Sequence, residues 1–352
     1  MSLLDETIAA VLPPDKNARA AARARLDQLA MPYWALGRLM DLAEELAGIT
    51  ASAKPAVKRK TVVVMAGDHG VVAEGVSAYP QEVTVQMVAN FVAGGASINA
   101  LARHVGAKVV VVDMGVAGDL THLGQAIIHR KIASGTQNIA AGPAMTREQA
   151  IATLEAGISV ARELADFTDV FATGEMGIGN TTPSSAIVAA FTGADPAAVT
   201  GRGTGLDDRQ LQHKIGTVKR ALEVNSVSTT DGIDVLAKLG GFEIGGIAGL
   251  VLGAAALRKP VVIDGFISSA GALVAQALCP LATDYMIAAH LSVERGHRIA
   301  LEKLGKRPLL DMDLRLGEGT GAALAMHLVE AAVRVLTEVA TFEEAAVSRS
   351  AG

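Results

Sequence analysis

At 352 residues, half of them apolar, the chain is long enough for one large core or a core with a small satellite domain, with room for a substantial pocket. Its formal net charge of −5 argues against nucleic acid or an anionic membrane as the main partner, because either needs a concentrated basic face. The single cysteine, Cys279, excludes a disulfide framework and a thiolate metal cluster, fits a reducing cytoplasm and reads as a buried small apolar residue.

The first residues carry Asp5 and Glu6 where a secretory signal needs a positive segment, so no export is expected. Pro13-Pro14 and Pro32 punctuate a helical first 50 residues, with Leu36, Leu39, Met40, Ala43 and Leu46 at three- and four-residue spacing. From Thr61 the texture changes to short β-branched or apolar runs, at residues 61–66, 109–112, 169–173, 260–263 and 285–289, separated by helical segments. That alternation predicts an α/β fold: a Rossmann-like parallel sheet with helices on both faces. The longest purely apolar run, 244–257, has 14 residues, short of the roughly 20 that a bilayer span needs. After His297 a charged stretch leads to Leu316-Gly317-Glu318-Gly319-Thr320-Gly321 and an Ala/Leu/Val helix ending near residue 339, and the polar tail after it reads as peripheral. The expected division is an α/β catalytic domain over 51–305 and a small helical domain from 1–50 and 306–352, with the catalytic loop 316–321 at the junction.

Ligands of open α/β sheets bind at the carboxyl ends of the strands. The five ends read Gly67-Asp68-His69, Asp113-Met114-Gly115, Gly174-Glu175-Met176-Gly177, Asp264-Gly265 and His290-Leu291-Ser292. Any one of them fits a plain turn; five polar ends together favour a site. The segment 174–183 reads as a strand-to-helix loop that binds an anion, with Thr182 as helix cap, Pro183 at the first helical position, and Gly177 and Gly179 letting backbone N–H groups approach a phosphate. A tight structural turn is the alternative. No Lys-Ser/Thr pair makes it a P-loop.

A second glycine-rich stretch, 200–208, precedes a helix holding Lys214, a point-charge partner for phosphate, although its spacing alone favours a solvated surface lysine. A third, 240–246, suits close helix packing better than ligand contact. Glu318 stands between two glycines at the entrance to an apolar helix. Helix capping is its simplest local role, and the flanking glycines and a predicted pocket count toward a catalytic one. The eight histidines show neither HExxH nor clustered Cys/His spacing, so no metal is expected; Asp68-His69 and the His290/His297 pair read as hydrogen-bonded structural groups.

Several of these segments resemble, almost letter for letter, the motifs of the bacterial nicotinate-nucleotide:dimethylbenzimidazole phosphoribosyltransferase family. They are residues 66–71, Val76-Ser77-Ala78-Tyr79-Pro80 with Val83-Thr84 and Gln86-Met87, then 174–182, 200–208, 240–244, Asp264-Gly265-Phe266 and 316–325. One departure is Pro32-Tyr33-Trp34-Ala35-Leu36-Gly37, where the family usually shows Pro-Gly-Ser-Leu-Gly. The resemblance implies transfer of ribose phosphate from nicotinate mononucleotide to 5,6-dimethylbenzimidazole with inversion, by a homodimer without metal or cofactor. It further implies that Glu318 is the catalytic base, that Tyr79, Gln86, Met87 and Leu316 line the benzimidazole pocket, and that Gly177, Gly179, Lys214 and Gly265 hold the 5′-phosphate. Glu175 and Ser292 are expected near the ribose or nicotinate. Two other readings compete. A dinucleotide oxidoreductase needs a G-x-G-x-x-G unit after a strand, which the sequence lacks. A noncatalytic module would bind nicotinate mononucleotide without turning it over.

Overall fold

A computed structural model describes residues 1–203 and 205–348; Thr204, inside the second glycine-rich stretch, and tail residues 349–352 lie outside the described residues. Six strands, β1 (Lys60–Gly67), β2 (Ala107–Gly115), β3 (Ile128–His129), β4 (Val170–Met176), β5 (Val261–Ile263) and β6 (Met286–Ala288), form one sheet in the order β3-β2-β1-β4-β5-β6. Every pairing is parallel. Each of the five apolar runs read from the sequence coincides with one of these strands. β3 was not expected, nor was a separate parallel pair, β7 (His290–Leu291) with β8 (Leu310–Asp311); two residues are too short to show a period.

The strand order reverses between β1 and β4, which opens a crevice beyond their carboxyl ends. Strand β4 runs to Met176, beyond the apolar run, so Glu175 is held by the sheet's own hydrogen bonds opposite Met65. At the end of β1 the register with β2 slips between Ala66 and Gly67, where Met114 of β2 is the extra, unpaired residue.

Alternate strand residues serve two cores, as the two-residue period of a strand requires. Val63, Met65, Val112, Phe171 and Ile263 face helices Arg147–Leu164, Phe242–Ala256 and Phe266–Leu278. Val62, Val64, Val111, Ala172 and Val262 face helices Arg38–Thr50, Ser97–Val105 and Thr320–Glu338. The third glycine-rich stretch packs helices as expected: a Cβ at Gly157 would sit 2.1 Å from the Gly246 carbonyl oxygen. Arg25, at the end of helix Lys16–Leu26, donates to the carbonyls of Leu336 and Val339, and Leu29 bridges Thr341. The two chain ends thus meet on one face of the sheet, whereas helix Leu3–Ala10 packs on the other, against Arg147–Leu164. Helices 83–105 and Thr320–Glu338 have bilayer-span length and apolarity, but the first is broken at Gly94 and the second lies between sheet and helices. Cys279 is buried, as expected.

Candidate active site

Beyond the carboxyl ends of β4 and β5 lies a cavity of about 770 Å³. Its walls come from the loops after β1, β4, β5 and β7, from helix Val83–Ala93 and from residues 313–318. Two chemically different ends can be distinguished.

One end is built around Glu318. Gly317, Glu318 and Gly319 all have positive φ, at 88°, 62° and 91°, and Glu318 is the one residue of the three with a side-chain penalty for that conformation, about 1–3 kcal/mol. Sequence alone suggests that Glu318 caps the helix it precedes, yet the N-cap of that helix is Gly319, and no side chain of its own segment caps it. The reversed backbone instead aims the carboxylate across to helix Ser97–Val105, where Oε2 accepts from the Ile98 N–H at 3.1 Å. Close approach fixes the loop from below: a Cβ at Gly174 would lie 2.5 Å from the Glu318 carbonyl oxygen, and one at Gly317 would lie 2.1 Å from Glu175 Oε1. The carboxyl group is mostly buried, which raises its pKa, against a smaller lowering by Ile98. Such a group is a carboxylate of increased basicity facing an apolar space. Met87, Leu316 and Tyr79 contribute that space, the last two exposed at the rim.

The other end suits an anion. Helices Thr181–Thr192 and Phe266–Leu278 both start at this cavity, and neither has a side-chain cap, so free N–H groups and the positive dipole ends are available to a ligand. Asn180, not Thr182, is the N-cap residue, and Pro183 falls at the third helical position. The side chain of Asn180 is spent on Glu175, to which its amide donates, and among the described residues the buried Thr182 hydroxyl has no partner. Gly177 is required by packing, since a Cβ there would come 2.2 Å from the Gly67 carbonyl oxygen. Gly179 is required by its φ of 88°.

Lys214 is not a solvated surface lysine. It is 1% exposed, its ammonium donates to Thr181 Oγ1 at 2.6 Å, and it lies beside Gly203, which also lines the cavity. Burial lowers its pKa to about 8, partly offset by the charge of Glu294. Among the described residues it forms no ion pair, so a buried positive charge stands behind Thr181 at the start of helix Thr181–Thr192, although Lys214 does not itself line the cavity.

Of the other residues singled out from sequence, Gly265, Ser292 and Glu175 line the cavity. Gln86 does not: it is exposed on helix Val83–Ala93. Glu175 is pushed up to about 8, chiefly by burial and then by the nearby charges of Asp264 and Glu243, against the Asn180 hydrogen bond. His290 lines the cavity as a neutral ring, its pKa lowered to about 4 by burial. The first two strand ends are structural. Asp68 accepts from Ala117 N–H, Asp113 from Val116 N–H, and His69 bonds Glu243 at 2.8 Å, all buried. His297 bonds the Ser292 N–H, again as a structural group. Asn180, Thr181, Glu294 and Arg315 also line the cavity without having been singled out by the sequence; for Thr181 the signal is a partner 33 residues along the chain, Lys214.

A family model described as "Phosphoribosyltransferase" matches residues 11–347. A protein of Syntrophotalea carbinolica named nicotinate-nucleotide–dimethylbenzimidazole phosphoribosyltransferase is 62% identical over 352 residues, covering 99% of both chains. One of the same name from Desulfotalea psychrophila is 56% identical, again covering 99% of each chain. The crystal structure of CobT from Thermus thermophilus superposes with a TM-score of 0.91 at 49% identity, over 95% of this chain and 100% of that one. By this full-length similarity in sequence and fold, the chain belongs to the nicotinate-nucleotide–dimethylbenzimidazole phosphoribosyltransferase family.

Proposed function

We propose that this enzyme transfers the 5-phosphoribosyl group of nicotinate mononucleotide to 5,6-dimethylbenzimidazole, forming α-ribazole 5′-phosphate and nicotinate. The observation that carries this reading is the pairing of opposites in one cavity: a basic carboxylate facing apolar walls, and two uncapped helix ends, one of them backed by the buried ammonium of Lys214 through Thr181. The 5′-phosphate occupies the second end, on Gly177, Gly179 and Gly265 with Lys214 behind Thr181. The acceptor base lies between Tyr79, Met87 and Leu316, without Gln86, which is exposed and does not line the cavity, and Glu175 and Ser292 border the ribose and nicotinate.

The chemistry asks little more of the protein. Nicotinate is already a pyridinium in the donor, so the C–N bond breaks with its electron pair going to nicotinate, and no acid is needed. One benzimidazole nitrogen bonds to the anomeric carbon on the opposite face, giving inversion. Positive charge grows on the ring, and the proton of its second nitrogen passes to Glu318. Because Oε2 is held by Ile98, Oε1 is the oxygen that receives it. Product analysis by mass spectrometry after mixing nicotinate mononucleotide with dimethylbenzimidazole tests the reaction; binding without nicotinate release rejects it in favour of a noncatalytic module.

This mechanism leaves no step for a divalent ion, since the donor has no pyrophosphate to grip. Chelator-treated enzyme is expected to keep full turnover, and activity lost to EDTA and restored by magnesium or zinc would reject the claim. The enzyme is further proposed to work as a homodimer in the cytoplasm. Tyr79, Met312 and Leu316, each more than half exposed near the cavity, support a covering partner. Light scattering is expected to give twice the 36.0 kDa of one chain. The helices of 1–50 and 306–352 that meet near Leu29 are proposed as the small domain, with loop 316–321 at its junction with the catalytic domain 51–305.

A further inference from the structure

The apolar helix Thr320–Glu338 has no side-chain cap from its own segment and no acidic residue in its first turn. The carboxylate at its N-terminus arrives from the end of a different element, 55 residues before Gly319. Asp264, the residue after β5, accepts from Ala322 N–H through Oδ1 at 2.8 Å and from Gly319 N–H through Oδ2 at 3.3 Å. A third bond comes from Gly321 N–H. Asp264 is 1% exposed, and its own N–H is held by Thr173 Oγ1 on β4. This carboxylate is therefore anchored to the sheet while gripping the backbone immediately after Glu318.

We propose that Asp264 is a positioning residue, whose two oxygens lock the start of helix Thr320–Glu338 and so keep Glu318 in the left-handed conformation that aims its carboxylate into the cavity. The inference rests on Glu318 being the base. Two features make the lock specific. Gly319 N–H belongs to the peptide that follows Glu318, so its bond fixes the ψ of that residue directly. Without it, the conformational penalty at Glu318 favours relaxation toward ordinary backbone, which would turn the carboxylate away. Asparagine in place of Asp264 offers one acceptor oxygen and turns an NH₂ donor toward N–H donors, a mismatch that leaves a buried group unsatisfied.

The test is a double-mutant cycle. Asp264→Asn is expected to lower kcat about 10- to 100-fold, the rate equivalent of losing hydrogen bonds to a charged group. In a Glu318→Gln background the same change should alter the residual rate by less than about threefold, because the aimed base is already gone. The groups facing Asp264 are Glu318, Glu175 and His290, the last with Nδ1 3.8 Å from Oδ1 and held neutral. Burial lifts Asp264 to about 7, so the native rate should fall with two protons as pH drops and that of Asp264→Asn with one. Hydrogen exchange at residues 317–322 should quicken in the variant while helix Phe242–Ala256 stays protected; Asp264→Ser, which keeps one acceptor, replaces Asn if the latter does not fold. Equal losses in both backgrounds, or an unchanged kcat and exchange rate in Asp264→Asn, overturn the proposal. Near-native turnover of Glu318→Gln would instead refute the assignment of the base, and the exchange measurement would still decide whether Asp264 locks the loop.

Discussion

Glu318→Gln is expected to cut turnover by about 10²–10⁴, the usual worth of a positioned general base, with little change in donor affinity. Glutamine preserves size, and its carbonyl oxygen still accepts from Ile98 N–H, so the loop geometry survives while basicity is lost. Stability gives a second, independent reading. Burial raises the Glu318 pKa in the folded enzyme, so the native state holds a proton more tightly than the unfolded chain does. Stability from such a group is present below its unfolded pKa and is lost as pH rises through the folded value. At neutral pH the ionised carboxylate is then a net cost to folding, and the glutamine variant should melt at the same temperature as the native enzyme or slightly higher. Native turnover should fall at low pH as Glu318 takes up its proton, through a pH range above that of an ordinary carboxylate, and the variant should lose that component of the acid limb. A sharp drop in melting temperature with near-native turnover would make the Ile98 contact structural and return the search for the base to Glu175.

The sheet was legible because its strands are buried on both faces and so read as unbroken apolar runs, such as Val62-Val63-Val64. β3 and the β7/β8 pair carry no such run and are set by tertiary pairing alone. At the strand ends, polar residues marked where the crevice lies but not which of them face it: Asp68, His69 and Asp113 look like Glu175 and Asp264 in sequence, yet they turn inward to backbone N–H groups and Glu243. Lys214 was misjudged by its spacing alone, because its helix Asp208–Asn225 has an ordinary mixed composition and the contact that buries it comes from Thr181. Capping at 180–183 failed for a related reason. Local rules assign a Thr to its own helix, whereas here Asn180 turns to Glu175 and leaves the helix end open. Both misses occur where the chain departs from locally favourable choices, which is typical of sites that serve a ligand.

Lys214→Ala should weaken nicotinate mononucleotide binding by about 1.5–3 kcal/mol, the range for a hydrogen bond to a charged group, and leave nicotinate riboside unaffected. Holding an ammonium at 1% exposure with no ion pair among the described residues is costly in the empty enzyme, and burial shows that cost as a pKa lowered to about 8. A phosphate arriving beside Thr181 supplies the missing negative charge, so binding and protonation of Lys214 strengthen each other. The sign of the pH effect follows from this linkage. Above about pH 8 the free enzyme loses the charge, and binding the donor must then take up a proton; affinity for nicotinate mononucleotide should fall as pH rises through that value. The alanine variant, having no ammonium to titrate, should show weak affinity with that alkaline decline removed. Riboside binding should be flat across the same range in both proteins. Calorimetry in buffers of different ionisation heat measures the proton uptake directly, at a pH just above the Lys214 value of about 8. If the variant loses equal affinity for nucleotide and riboside, or if native binding takes up no proton there, Lys214 holds the loop through Thr181 and does not contact the phosphate.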